Sequence, residues 1–404
     1  MITTRTSNKL ATSTLVVVGT AYLIFIVLGI PDGMLGVAWP SMRATYGVAL
    51  GQMGVLLLAS TAGFLLTSFS VGRMIALVGI VRLLMVAVVV RGAGLIGIGL
   101  APEWWLLVLA AFGFGIGSGV LDAGMNTYFA MNLSPRLMNW LHACFGLGAM
   151  IGPILMTSLL SSGAGWRAGY VIVGVVQASI VILLIVRAKD WQQQAPSGTV
   201  AADNPNIPHK RYLATLSRPI VWVNVALFFC YAGVEATAGN WSFTLFTEGR
   251  GASVAVAGFW VSFYWASFTF GRLFFGFIAD RVNVLNTVRL MMVIALISTL
   301  FIWWNPVDWV SYAALATLGF AMAPVFPLMI SSTPLRLGVA DATNAIGVQV
   351  GAAALGIAVL PGLAGVLAQQ MGIAVIAPYM VTAAIVMLVL QEIAVRGAKQ
   401  APAR

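Results

Sequence analysis

Read from its amino terminus, the chain alternates between long apolar runs and short polar connections. Twelve of the runs approach or exceed the roughly 20 mostly apolar residues that cross a bilayer as a helix. They lie near 13–38, 49–72, 83–101, 104–130, 139–161 and 167–187, then near 220–243, 253–278, 288–304, 309–330, 342–366 and 374–393; in chain order these are helices 1 to 12. Transmembrane strands are about 10 residues long and alternate in polarity, a pattern these runs lack, so the predicted class is an all-α integral membrane protein. The first run is longer than the core of a signal peptide and is followed by no small-residue cleavage site, so it is read as a retained helix. The longest polar stretch, Arg187 to Pro219, contains QQQAPSGTVAADNPNIPHKR and has the composition of a flexible linker. The expected organisation is a six-helix bundle over 1–187, a linker over 188–219, a second six-helix bundle over 220–393 and a tail over 394–404.

Composition sharpens this. Only 8% of the residues are charged and 60% are hydrophobic, against about 25% charged in soluble domains. The net charge of +10 would elsewhere suggest nucleic acid, but the basic residues stand singly between apolar runs and read as orientation signals. With the amino terminus inside, all but four of the 21 Lys and Arg fall on the cytoplasmic side, Arg272, Arg281 and Arg289 among them. The exceptions are Arg43, Arg167 and Arg250 in outer connections and Arg91 within a helix. Both termini are therefore expected in the cytoplasm, with the chain in the cell (inner) membrane. Cys144 and Cys230 lie inside apolar runs and imply no disulfide framework.

The two halves echo one another at an offset of 204–205 residues. Gly72 aligns with Gly276, and Asn139, Gly146 and Ala149 align with Asn344, Gly351 and Ala354. A duplicated six-helix unit suits a rocking secondary transporter whose site lies between the halves; the blander alternative is a duplicated bundle that transports nothing.

Helices 8 and 9 are joined by GRLFFGFIADRVNVLNTVR, with Gly276, Asp280 and Arg281 in G-x-x-x-D-R. This resembles the loop motif of the major facilitator superfamily. The first-half copy, GRMIALVGIVR, keeps Gly72, Gly79 and Arg82 but has Ala76 where the family has Asp. Three further segments, PDG at Pro31–Gly33, GSGVLDAGMN at Gly117–Asn126 and NWLHACFGLGAMIGP at Asn139–Pro153, resemble the fucose/galactose/glucose:proton symporter group. The resemblance implies the two-bundle major facilitator fold, proton symport of a sugar and a monomer. It places Asp32, Asp122 and His142 at an acid of helix 1, an acid of helix 4 and a polar position of helix 5. His142 stands where that group has an amide, and Phe145 replaces a second polar residue.

Four ionisable residues fall inside predicted helices: Asp32, Asp122, Glu235 and Arg91. A charge at the bilayer centre costs at least about 2.5–3.5 kcal/mol on insertion scales, so each is a functional candidate. Three acids share one such cation, and desolvation penalises an uncompensated carboxylate, so Asp32, Asp122 and Glu235 are the expected proton-coupling set. Asp122 leads, with Asn126 one turn further on the same face. Asp32 follows a proline and has the competing reading of a solvated residue near the outer interface. Glu235, with Tyr231 a turn before it, is divided between proton coupling and substrate hydrogen bonding. Arg91 is expected to be the charge partner of an acid on helix 1 or 4.

In the family, helices 1, 4, 7 and 10 line the cavity, and helices 2, 5, 8 and 11 meet between halves. On them lie Asn126, His142, Tyr231, Asn240, Trp241, Tyr264, Trp265, Asn344 and Gln349, the expected substrate-binding set. Amides beside aromatic faces suit a polyhydroxylated ring, although intramembrane aromatics more often serve packing or the lipid face. His142 keeps three readings open: a packed neutral histidine, a substrate ligand or a proton relay. Asp280, Arg281 and Arg336 are the expected cytoplasmic gate, one-sided because Ala76 removes the first-half acid. Gly113, Gly115, Gly117 and Gly119 read as close-packing faces; Pro153, Pro324, Pro327 and Pro361 read as kinks or weak points.

No spacing suggests a metal site, a nucleotide-binding loop or a catalytic nucleophile–base set, so no enzyme is expected. The partners expected are a small solute, a coupling proton (with Na⁺ as the other candidate ion) and the lipid bilayer. The competing transport reading is a proton-driven exporter of drugs or hydrophobic metabolites. Gly148, Gly152 and Pro153 match part of the antiporter signature in helix 5, while Leu155 and Met156 stand in its double-glycine place.

Overall fold

In a computed structural model that describes residues 2–133, 135–193, 212–278 and 281–400, the chain is all-helical, with no strand among the described residues. Twelve helices are long and apolar enough to cross a membrane. Helices 1 to 6 are Thr14–Tyr46, Leu50–Ser68, Ile80–Leu100, Trp104–Phe129, Arg136–Ser161 and Gly165–Val186. Helices 7 to 12 are Pro219–Arg250, Val254–Ile278, Val284–Trp304, Asp308–Pro334, Asn344–Met371 and Ile373–Arg396. Buried backbone amides and carbonyls in hydrocarbon must be satisfied within their own segment, which is why apolar runs of this length become helices.

Helices 1 and 7 run about two turns past their predicted ends. Their polar extensions are held together by an ion pair, Arg43 with Glu248 at 2.6 Å, so the helices continue where the apolar pattern stops. Helices 5 and 11 stay continuous through Pro153 and Pro361. Helix 10 does not: it is split at Ala323–Pro324 into Asp308–Met322 and Val325–Leu337. Pro324 and Pro327 supply no amide hydrogen, so the carbonyls of Phe320 and Ala323 lose their helical donors.

The described residues fall into two compact units. The first holds those up to Met34 and those from Ala59 through the short helix Ala188–Gln193; the second holds Leu35–Leu58 and those from Tyr212 onward. The carboxy-terminal part of helix 1 and the start of helix 2 thus belong with helices 7 to 12. There Gly36 lies against the backbone of Asn240, and Gly54 against Gly362.

Within the first unit, helix 3 packs on helices 4 and 6. Helices 1 and 5 cross so closely that a Cβ added to Gly148 would land on the Ile26 carbonyl oxygen, and one added to Gly29 on that of Phe145. In the second unit helix 7 packs on helix 11, and a Cβ on Gly356 would land on the Phe229 carbonyl oxygen. Gly29 and Gly233, and Gly152 and Gly356, are each 204 residues apart, and all four sit at these crossings. The internal repeat is therefore built into close helix crossings, against backbone at Gly29, Gly152 and Gly356 and against the Leu360 side chain at Gly233. In helix 4, Gly115 and Gly119 meet the helix 2 backbone and Gly117 meets Arg91, whereas Gly113 faces open space.

Candidate functional site

The first unit is organised around Arg91, which is 1% exposed. Pro31 in helix 1 has no amide hydrogen to give the carbonyl of Val27, four residues earlier. Arg91 fills that gap from helix 3. One terminal nitrogen lies 3.5 Å from the Val27 carbonyl oxygen and donates to Gln177 Oε1 at 2.6 Å. The other donates to the Leu28 carbonyl at 2.7 Å, and Nε donates to Ser118 Oγ at 3.0 Å. The guanidinium also stacks 4.8 Å from the Phe114 ring centre. One cation thus ties helices 1, 3, 4 and 6 together. Asp32, exposed at the next position after Pro31, acts electrostatically on Arg91 and on buried Tyr170.

On helix 4, half-buried Asp122 accepts a hydrogen bond from Asn126 Nδ2 at 3.2 Å. The one-turn spacing read from the sequence brings these two together. His142 on helix 5 is half-buried, with its ring edge-on to Phe25 at 5.9 Å between centres.

The second unit carries a cluster around Glu235. The Tyr231 hydroxyl contacts Glu235 Oε2 and lies 3.0 Å from the carbonyl oxygen of Met322, the residue before the break in helix 10. Tyr264 donates from helix 8 to the Glu235 backbone carbonyl at 3.0 Å. Arg272 acts electrostatically on Glu235, Tyr231 and Tyr264 while stacking 4.4 Å from the Phe268 ring centre. This corrects the assignment of Arg272 to a cytoplasmic connection. Helix 8 ends at Ile278, as the apolar run 253–278 predicts, which places Arg272 about 9 Å inside that end, so Arg91 is not the only cation within a membrane-spanning helix.

The remaining expected solute-binding residues divide by their partners. Trp241 is fully buried and donates to the Pro361 carbonyl at 2.9 Å. Asn240 donates to the Ala236 carbonyl of its own helix at 2.9 Å. Trp265 is buried beside Gly239, with its indole nitrogen unpartnered. Gln349 accepts from Thr333 at 3.1 Å and keeps a buried, unpartnered amide nitrogen. Asn344 donates to Thr215 at 3.3 Å. Thr215 in turn joins a network in which Asp341, 1% exposed, accepts from Thr215 at 2.8 Å and pairs with Arg218.

Of the expected gate, Asp280 lies outside the described residues and Arg281 is exposed. Arg336 is 3% exposed, donates to Asn224 at 3.4 Å and keeps Nε and one terminal nitrogen unpartnered. Sequence reasoning missed Arg272, Gln177, Ser118, Thr215, Asp341 and Glu248. Gln177 carried a signal: a lone amide in the apolar run GVVQASIV needs a buried partner. Chemically, these clusters offer carboxyl groups beside neutral donors and aromatic faces. Among the described residues no three or more His, Cys, Asp or Glu stand close enough to hold a metal ion.

Comparison with known proteins supports a transport fold over nearly the whole chain. The family model described as Major Facilitator Superfamily matches residues 21–359. Bypass of stop codon protein 6 of Saccharomyces cerevisiae is 22% identical over 87% of this chain and 76% of its own length. The glucose/mannose transporter GlcP of Bacillus subtilis is 22% identical over 77% of this chain and 78% of its own. Among solved structures, a bacterial homologue of the human lysosomal transporter Spinster, inward-facing and occupied, superposes with a TM-score of 0.70 at 14% identity, covering 95% of each chain. The Escherichia coli fucose:proton symporter FucP, in a singly substituted form, gives 0.65 at 15% identity, covering 95% of this chain and 99% of its own.

Proposed function

The chain belongs to the major facilitator superfamily and is a multi-pass membrane transporter, and from that premise we propose that it moves a small polar solute, in our reading a sugar, by alternating access with proton symport. The observation that carries the reading is Asp122, a half-buried carboxyl within helix 4 whose hydrogen-bond partner is the neutral amide of Asn126. A carboxyl so placed takes up and gives back a proton as its surroundings change, which a fixed ion pair does not do. Asp32, beside the Arg91 network, and Glu235, within the tyrosine cluster, are the second and third proton-coupling groups. The sugar reading draws support from the glucose/mannose transporter among the relatives, and from the aromatic and amide side chains of helices 7, 8 and 11. The protein is proposed to act as a monomer in the inner membrane with both termini in the cytoplasm, using no cofactor other than the coupling ion.

The test is uptake into proteoliposomes under an imposed inward proton gradient, with a panel of hexoses, pentoses and polyols. The expected result is accumulation of one class, abolished by a protonophore. Accumulation driven only by a sodium gradient would replace the coupling ion. Efflux of lipophilic cations with no response to any sugar would overturn the reading in favour of a proton-driven exporter.

A further inference from the structure

The Tyr231 hydroxyl carries one hydrogen but touches two oxygens, Glu235 Oε2 and the Met322 carbonyl. A carbonyl oxygen only accepts. With Glu235 protonated each contact has its own hydrogen: the phenol donates to Met322, and the Glu235 carboxyl donates to the phenol oxygen.

Met322 ends the first segment of helix 10, and a carbonyl at a helix end has no helical donor. When Glu235 loses its proton, the phenol hydrogen is drawn to the carboxylate, because a hydrogen bond to a charged oxygen is roughly twice as strong as one to a neutral oxygen. Met322 then loses its partner from helix 7. The charged and titratable groups acting on Glu235 are Tyr231 of its own helix and, from helix 8, Arg272, with Tyr264 holding its backbone carbonyl. Arg272 keeps a buried, unpartnered Nε and favours the carboxylate once it forms.

We propose that Tyr231 transmits the protonation state of Glu235 to the break in helix 10: with the proton bound the hydroxyl pins the Met322 carbonyl, and with the proton released it turns to the carboxylate and frees the break. Tyr231 is thus a positioning residue, acting through Met322, and Glu235 is the group whose proton it reports. The inference rests on the proton-coupled reading but goes beyond it by naming the segment that the proton controls.

Two exposed positions flank the break, Thr317 and Ser331, about 21 Å apart along an unbroken helix. The full chain, with Cys144→Ser and Cys230→Ser, is nitroxide-labelled at Thr317→Cys and Ser331→Cys. Spin–spin distances are then measured in lipid at acid and at mildly alkaline pH. The expected result is a narrow distribution at acid pH that broadens at alkaline pH. In Glu235→Gln, whose amide still donates to the phenol, it stays narrow at both. In Tyr231→Phe it is broad at both. A wild-type distribution that does not change with pH, a Glu235→Gln variant that still broadens, or a Tyr231→Phe variant that behaves as wild type would each overturn the proposal. The distances need no substrate, so a failed uptake assay leaves them readable. Unchanged distances in turn leave solute-driven proton flux through Asp122 standing.

Discussion

Arg91→Ala is expected to destabilise the protein by about 3–5 kcal/mol, because it strips a buried guanidinium from acceptors that are themselves buried or half-buried. Gln177 Oε1, Ser118 and the Leu28 carbonyl would each lose a donor. The Val27 carbonyl would face Pro31 with nothing to replace the missing amide. Helix 1 bears Asp32 one residue after that proline, so the loss also frees the segment that positions a coupling acid. For a chain of 404 residues the cost corresponds to a fall in thermal midpoint of about 4–6 °C, read in detergent by intrinsic fluorescence. Arg91→Lys keeps the charge but not the planar fork that reaches two helices at once, and should recover only part of the loss. An unchanged midpoint in Arg91→Ala would show that the network is not structural.

The second large effect is expected at the helix crossings. Gly148→Ala and Gly356→Ala each push a methyl group onto a carbonyl oxygen of the neighbouring helix, Ile26 in one unit and Phe229 in the other. A backbone oxygen cannot rotate away, so the helices must separate, at a cost of about 1–3 kcal/mol or more. Gly113→Ala and Gly347→Ala are the matched controls, since an added Cβ there meets nothing within 4 Å. They should be neutral or slightly stabilising, because alanine favours the helix. Thermal midpoints of the four variants separate the two classes. Equal effects at Gly148 and Gly113 would show that the glycines matter through backbone flexibility rather than close approach.

The fold was legible because each helix must be apolar over a bilayer-spanning length, a signal that survives in a single sequence. The Asp122–Asn126 pair was legible for a similar reason: both lie on one helix, a turn apart. What escaped lies across helices. Arg272 stands only six residues from the end of its helix, and counting charges by loop misassigned it, although the apolar run LFFGFI beyond it marks a helix that continues. Asp341 reads as an ordinary acid in the first turn of a helix. Its partners Thr215 and Arg218 are more than 120 residues away, and no local pattern brings them together. Pro324 reads from the sequence as a weak point, but only the three-dimensional arrangement shows that Tyr231 reaches the Met322 carbonyl at the break.

The central claim is that Asp122 carries the proton that drives the solute. Its most direct test compares wild type with Asp122→Asn in proteoliposomes loaded with a pH-sensitive dye, once the uptake panel has named a solute. Each protein is assayed for solute-driven proton entry and for exchange of labelled against unlabelled solute without a gradient. The account predicts that the variant loses proton entry while retaining exchange, because a neutral amide preserves the site but cannot carry a proton across. Undiminished proton entry in Asp122→Asn would contradict it.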